Sequence, residues 1–190
     1  MVANLHDTPT PRHWTYRDYL ALDDGRRYEI IEGELRDMTP APSVSHQSCS
    51  RNLEFLFLEY VRQRQWGFVY DAPIDVILSE DNVVQPDIVL VAKEHEDRIQ
   101  DRGIFGAPDL VVEIVSPTSV RYDYVTKQTL YRRFAIPEFW LADPANRSLT
   151  LLGLKDSQYT PVSFASGTGA VQSCLLEGFQ VELATVFTER

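Results

Sequence analysis

The 190-residue sequence predicts an α/β fold: a mixed central sheet flanked by helices, with an N-terminal hairpin and a C-terminal β-meander. Three observations lead there. Apolar runs of strand length, VVQPDIVLV (83–91) and LVVEIVS (110–116), alternate with two segments of helical periodicity. The order helix, three strands, helix, strand suits a sheet layered against helices. Hydrophobic residues make up 44% and charged residues 24%, the balance of a globular chain with enough length for one core. A single domain over 1–190 is therefore expected, with 1–13 as a poorly ordered lead-in.

Each element has a local cause. Pro9 and Pro11 make the start a poor helix, and residues Trp14 to Leu22 then read as a short one. RYEIIEGELRDM (27–38) reads as a hairpin turning at Glu32-Gly33, followed by a Pro- and Ser-rich loop from Thr39 to Ser45. A long helix is expected from Ser45 to Gln65. Its apolar residues Cys49, Leu53, Leu56, Phe57, Tyr60 and Val61 form one stripe, Ser43 or Ser45 can cap it, and Gly67 stands past its end. Three strands are expected over Phe68–Leu78, Val83–Val91 and Leu110–Ser116. A second helix is expected from Asp123 to Ala135, ended by Pro137, and a buried strand at EFWLA (138–142). The meander occupies the chain from Asn146 onward.

Composition also limits the function classes. Cys49 and Cys174 are too few and too far apart for a disulfide framework or a thiolate metal site, which points to reduced thiols in the cytoplasm. No signal-peptide pattern opens the sequence and no run of about 18 apolar residues would span a membrane. The net charge of −10, from 18 basic and 28 acidic residues, argues on its face against nucleic-acid binding.

Two carboxylates stand against that argument. Strand alternation puts Gln85, Asp87, Val89 and Val91 on one face, and Val111, Glu113 and Val115 on one face of the next strand. Glu113 interrupts a run that reads as buried on both sides, where an ionised carboxylate costs several kcal/mol without a partner or metal. Asp87, Glu113 and the carbonyl of Ile114 would supply hard oxygen ligands, which suit Mg²⁺ or Mn²⁺. The plainer alternatives are a strand-entry Asp and a Glu paired with a base. In the second helix, stepping back from Leu130 and Tyr131 reaches Lys127, which places a lysine on the core-facing stripe. Lysine beside metal-bound carboxylates can orient water or steady a phosphate.

This set resembles the PD-(D/E)xK nuclease superfamily and, more closely, the Uma2 family of restriction-endonuclease-like proteins, formerly DUF820. The resemblance runs through YEIIEGEL (28–35), SHQ (45–47), APIDVIL (72–78), VVQPDIVLV (83–91), GAPDLVVEIVSPTS (106–119), DYVTKQTLY (123–131) and FWLADP (139–144). It implies a restriction-endonuclease-like core for the mixed sheet. The sequence departs from the superfamily triplet: Glu113-Ile114-Val115 has valine where lysine is usual, and the Uma2 pattern moves the lysine to the following helix. That favours Lys127 over Lys93, which lies in the polar loop KEHEDR. The resemblance further implies Glu29 on the hairpin as part of the metal shell, with Glu32 the competing choice at the turn. It also brings in His46, either touching a phosphate at the helix start or bonding nearby backbone. Gln85, Ser116 and Tyr131 are expected to support the site.

The resemblance implies a Mg²⁺- or Mn²⁺-dependent phosphodiesterase, a DNA endonuclease first and an RNA hydrolase second, leaving a 3′-hydroxyl and a 5′-phosphate. The alternative is an inactive member of the fold that binds nucleic acid or protein. A homodimer is expected because two-fold symmetry brings two sites to two strands. Arg62, Arg64, Arg121, Lys127, Arg132 and Arg133 gather on or near the helices, so the acidic balance permits DNA binding that is weak, salt-sensitive and metal-dependent.

Overall fold

A computed structural model describes residues 12–38, 41–116 and 122–188. Residues 1–11 of the expected lead-in, Thr39 and Pro40 of the expected loop, and Arg121 fall outside them. The chain begins with helix α1 (Tyr16–Leu20), capped by Thr15, which accepts from the Asp18 amide while Asp18 reaches back to it. The hairpin β1 (Tyr28–Ile31) and β2 (Glu34–Asp37) follows, turning at Glu32 and Gly33, both at positive φ. Helix α2 (Val44–Arg64) is capped by Ser43, and its buried residues His46, Cys49, Leu53, Phe57 and Val61 continue the expected stripe.

Two of the expected strands are each two strands. Phe68–Leu78 divides into β3 (Gly67–Asp71) and β4 (Val76–Ser79), and Val83–Val91 into β5 (Asn82–Val84) and β6 (Ile88–Ala92). The breaks fall at Pro73 and Pro86, which lack the N–H that a central strand needs. At each break the chain passes from one sheet to another. The expected single central sheet is therefore two mixed six-stranded sheets.

Between β6 and the next strand pair lies a 3-10 segment (Lys93–Arg98), followed by β7 (Ile99–Gln100) and β8 (Gly103–Phe105). The first sheet runs β2-β1-β5-β4-β8-β7, with β4 and β8 parallel. The second contains β3 and β6, then β9 (Leu110–Ile114), β10 (Glu138–Asp143), β11 (Ser148–Lys155) and β12 (Gln158–Ser166). Only β9 and β10 are parallel within it, so they need a crossover. That crossover carries a π-helical turn (Tyr122–Lys127) and α3 (Gln128–Arg133), in place of the one continuous helix expected over 123–135. A small ribbon, β13 (Ala170–Gln172) and β14 (Gln180–Glu182), and helix α4 (Leu183–Val186) complete the chain.

The cores follow the layers. One face of the second sheet packs Ile88, Leu90, Val112 and Trp140 under the α2 stripe and Phe179. Its other face meets the first sheet, where Val89, Val91, Val111 and Phe139 pack with Val76, Val84 and Ile104, and with Leu130 and Tyr131 of α3. The outer face of the first sheet is closed by Tyr16 of α1 on Ile30, Ile77 and Val83. Gly67 does not cap α2 as expected. Gln65 takes the left-handed cap at φ 51°, and Gly67 is needed because a Cβ there would lie 2.1 Å from the Val91 carbonyl oxygen. Among the described residues, no helix is long and apolar enough to cross a membrane.

Candidate active site

Four segments bring the expected residues to the seam between the sheets. Alternation in β9 sends Leu110, Val112 and Ile114 toward α2 and sends Val111, Glu113 and Val115 into the inter-sheet core. Glu113 thus enters an apolar layer at 3% exposure. Glu29 comes from β1 of the opposing sheet and is fully buried. Lys127, one turn before Leu130 and Tyr131, is 3% exposed and stands between them.

Its Nζ lies 2.9 Å from Glu29 Oε1 and 2.9 Å from Glu113 Oε1. Tyr131 donates its hydroxyl to Glu113 Oε1 at 2.5 Å. Gln85 donates its backbone N–H to Glu29 Oε1 at 2.9 Å. Buried carboxylates survive in such a layer only when charge and hydrogen bonds compensate them.

Asp87 enters from the switch between β5 and β6. Its Oδ2 accepts the Ile114 N–H at 2.7 Å, and its Oδ1 lies 3.3 Å from His46 Nε2 in the first turn of α2. Asp87 keeps a side-chain exposure of 19%, against 1% for Glu29 and 4% for Glu113, so it forms the accessible edge of the cluster. The contact made by His46 is with Asp87, which neither expected reading of that residue named. The Ile114 contact is made by its amide. Ser116 is half-buried just beyond β9.

The competing residues are placed elsewhere. Glu32 occupies the hairpin turn at 72% side-chain exposure, 3.4 Å from Arg133. Lys93 is exposed and pairs with Glu96 at 2.6 Å. Gln85 and Asp87 do not share one continuous strand, because the chain leaves the first sheet after Val84.

Two polar clusters had no signal in the sequence reading. Asp75, just before β4, accepts from Gln85 Nε2 at 2.8 Å and from the Tyr19 hydroxyl at 3.4 Å. Burial holds its carboxyl above the ordinary range. Burial and then the Asp75 charge push the Tyr19 hydroxyl up to about 12, which keeps it a donor. Glu138, fully buried at the start of β10, accepts from Trp140 Nε1, Ser173 Oγ and the Cys174 and Leu175 amides at 2.6–2.9 Å. It ties β10 to the loop before β14.

The donor chemistry of Asp87, Glu113 and Glu29 is that of hard oxygen ligands, which fits magnesium or manganese. Among the described residues, no three His, Cys, Asp or Glu side chains already converge as a metal cage.

Comparison with known proteins bears on the family and the fold. Residues 16–185 match the family Uma2, described as "Putative restriction endonuclease". The chain belongs to the Uma2 family. No curated protein matches it. Among solved structures, it is similar to a crystal structure of a "putative nuclease belonging to DUF820" from Anabaena variabilis ATCC 29413. The TM-score is 0.75 at 17% identity, over 92% of this chain and 97% of that one. At that identity the likeness is one of fold: the two mixed sheets and few helices of this Uma2 chain are shared with a DUF820 structure.

Proposed function

We propose that this Uma2 protein is a metal-dependent phosphodiesterase that cuts DNA. One observation carries the reading: a buried lysine lies 2.9 Å from carboxylates of two opposing sheets, beside an aspartate fixed to the amide that follows one of them. A purely structural ion pair needs one carboxylate. Two buried carboxylates on one lysine, with a third, reachable from solvent, held by the amide that follows Glu113, suit a site that gathers cations. The family description supports the same class of reaction.

Asp87 and Glu113 would hold magnesium or manganese, with the Ile114 carbonyl as an expected third ligand. The ion would polarise the phosphate and lower the pKa of water. Lys127 places a positive charge where a phosphoryl group gains negative charge, and it aligns the attacking water. Glu29 and Tyr131 fix its position by holding Lys127 and Glu113. His46 orients Asp87 by pairing with the oxygen that Ile114 does not hold. The water oxygen bonds to phosphorus as the water releases a proton to solvent, the P–O3′ bond breaks, and the 3′-oxygen takes a proton from solvent, leaving a 3′-hydroxyl and a 5′-phosphate. A homodimer would place two such sites on two strands.

A second reading has its own support. Glu29 and Glu113 are engaged by Lys127 and Tyr131, which also suits a retained core in a binding module. Calorimetric titration with Mn²⁺ separates the two. The phosphodiesterase binds the ion, and Asp87→Asn weakens that binding at least tenfold. Absence of binding by the wild type leaves the module.

A further inference from the structure

Beside the candidate site lies a second feature that the proposed chemistry does not use. A cavity of about 600 Å³ opens next to α1 and the β4–β8 edge, a volume in the range of small-molecule sites. Its lining includes Asp75, Gln85, Tyr19, Tyr70, Arg27 and Arg102.

The polar groups leave a defined set of valences. Asp75 Oδ1 accepts from Gln85 Nε2, and since a carboxylate only accepts, this contact fixes which end of the Gln85 amide is nitrogen. Gln85 is 6% exposed, and its Oε1 has no hydrogen-bond partner among the described residues. A buried acceptor left so is costly unless a ligand or water supplies the donor. Asp75 Oδ2 likewise accepts nothing from the described residues. The floor therefore asks for a ligand edge with adjacent N–H donors.

The walls ask for something else. Arg27 and exposed Arg102 have no carboxylate partner among the described residues, and apart from Asp75 the lining sets these two guanidiniums against one carboxylate, exposed Asp101, which suits an anion. Tyr19 and Tyr70 offer aromatic rings. The wall is closely packed where it meets Asp75: a Cβ on Gly103, at φ 146°, would lie 2.4 Å from the Asp75 carbonyl oxygen, which also accepts the Ile104 amide at 2.8 Å.

An N–H donor edge, a flat ring and a phosphate occur together in one ligand class. We infer that this cavity binds a guanine nucleotide unit, with Asp75 and Gln85 accepting from the N1–H and N2–H edge, Tyr19 and Tyr70 contacting the base, and Arg27 and Arg102 contacting the phosphate. Adenine presents an acceptor at N1 and is turned away by the carboxylate. Gln85 joins the two sites, since its backbone N–H holds Glu29 while its side chain lines the cavity. As a pocket that reads a base of the cleaved strand, the inference rests on the proposed nuclease function. As a pocket for a free nucleotide, it does not.

The test is calorimetry on the full chain. One arm titrates GMP, IMP, AMP and guanosine; the other titrates the pentanucleotides d(TTGTT) and d(TTATT). The expected order is GMP above IMP, which lacks the N2 amine, with AMP at least roughly tenfold weaker than GMP. Asp75→Asn should abolish the preference for guanine over adenine. Arg102→Ala, on the exposed rim, should weaken GMP several-fold and leave guanosine unchanged. The nucleotide series and the Arg102 variant decide the matter even if Asp75→Asn fails to fold. Guanine preference in both arms assigns the pocket to a strand, and preference with GMP alone assigns it to a free nucleotide. Equal binding of guanine and adenine in both arms, or no binding in either, overturns the inference. Plasmid nicking by the same preparation keeps the two claims apart. Nicking without guanine preference removes only the pocket, and guanine preference without nicking removes only the nuclease.

Discussion

Replacing Lys127 with methionine keeps the length of the side chain and removes its charge. Two carboxylates of very low exposure, Glu29 and Glu113, then lose the ammonium that lies 2.9 Å from each. Breaking a buried ion pair by removing one partner costs ~3–5 kcal/mol. For a domain of this size each kcal/mol lowers the melting temperature by roughly 2–4 °C, so Lys127→Met should melt roughly 6–20 °C below the wild type. Urea denaturation followed by circular dichroism gives the free energy, and an unchanged m-value shows that the loss is one of native stability. Adding Glu113→Gln to Lys127→Met should restore about 1–2 kcal/mol, because the two residues are in contact and their effects do not add. A loss below about 1 kcal/mol for the single variant, or no restoration in the double, would mean that Lys127 does not compensate these carboxylates.

Other outcomes follow from the same contacts. Glu138→Ala leaves the Trp140, Ser173, Cys174 and Leu175 donors without their acceptor and should cost at least ~3 kcal/mol in urea denaturation. Cys174 is an exposed residue whose Sγ turns onto Glu138 at 2.9 Å, and partial burial followed by that carboxylate push its thiol up to about 12. It should therefore react more slowly with a disulfide reagent at pH 8 in the native protein than in urea. Burial raises the Asp75 carboxyl above its ordinary 3.8. Such a group adds stability below its unfolded pKa and loses it as pH rises through the folded value. Asp75→Asn should therefore gain on the wild type between pH 3 and pH 7 in paired urea melts, and a shift the other way would show that the carboxylate is stabilised by its surroundings.

Much of the site was legible because its residues break local rules. Glu113 stood out as a charge inside an apolar run, and Lys127 as a charge on an apolar helical stripe. Both anomalies are resolved by the contacts that the two make with each other and with Glu29 and Tyr131. Glu29 and Glu32 were separated by turn chemistry: a turn glutamate is solvated, while β1 is buried from Glu29 through Ile31. What sequence could not yield was the passage of the chain between sheets. Gln85 and Asp87 read as one face of one strand, yet Pro86 ends the pairing of β5 and lets β6 join a different sheet. Periodicity describes a strand's faces and says nothing about which sheet it enters. Asp75 escaped notice for the same reason. Its partners Tyr19 and Gln85 are distant in sequence, and only the packing of α1 and the first sheet brings them together. The Glu138 knot depends on residues 173–175 folding back, a long-range contact with no local signature.

The nicking of supercoiled plasmid by purified protein in Mg²⁺ or Mn²⁺, with Asp87→Ala prepared alongside, bears on the whole reading at once. The wild type should convert supercoiled to open-circular DNA only when the ion is present, and the variant should be slower by at least roughly a hundredfold. Equal conversion by both proteins, or conversion by the wild type in EDTA, would show that the carboxylate–lysine cluster between the sheets is not where DNA is cut.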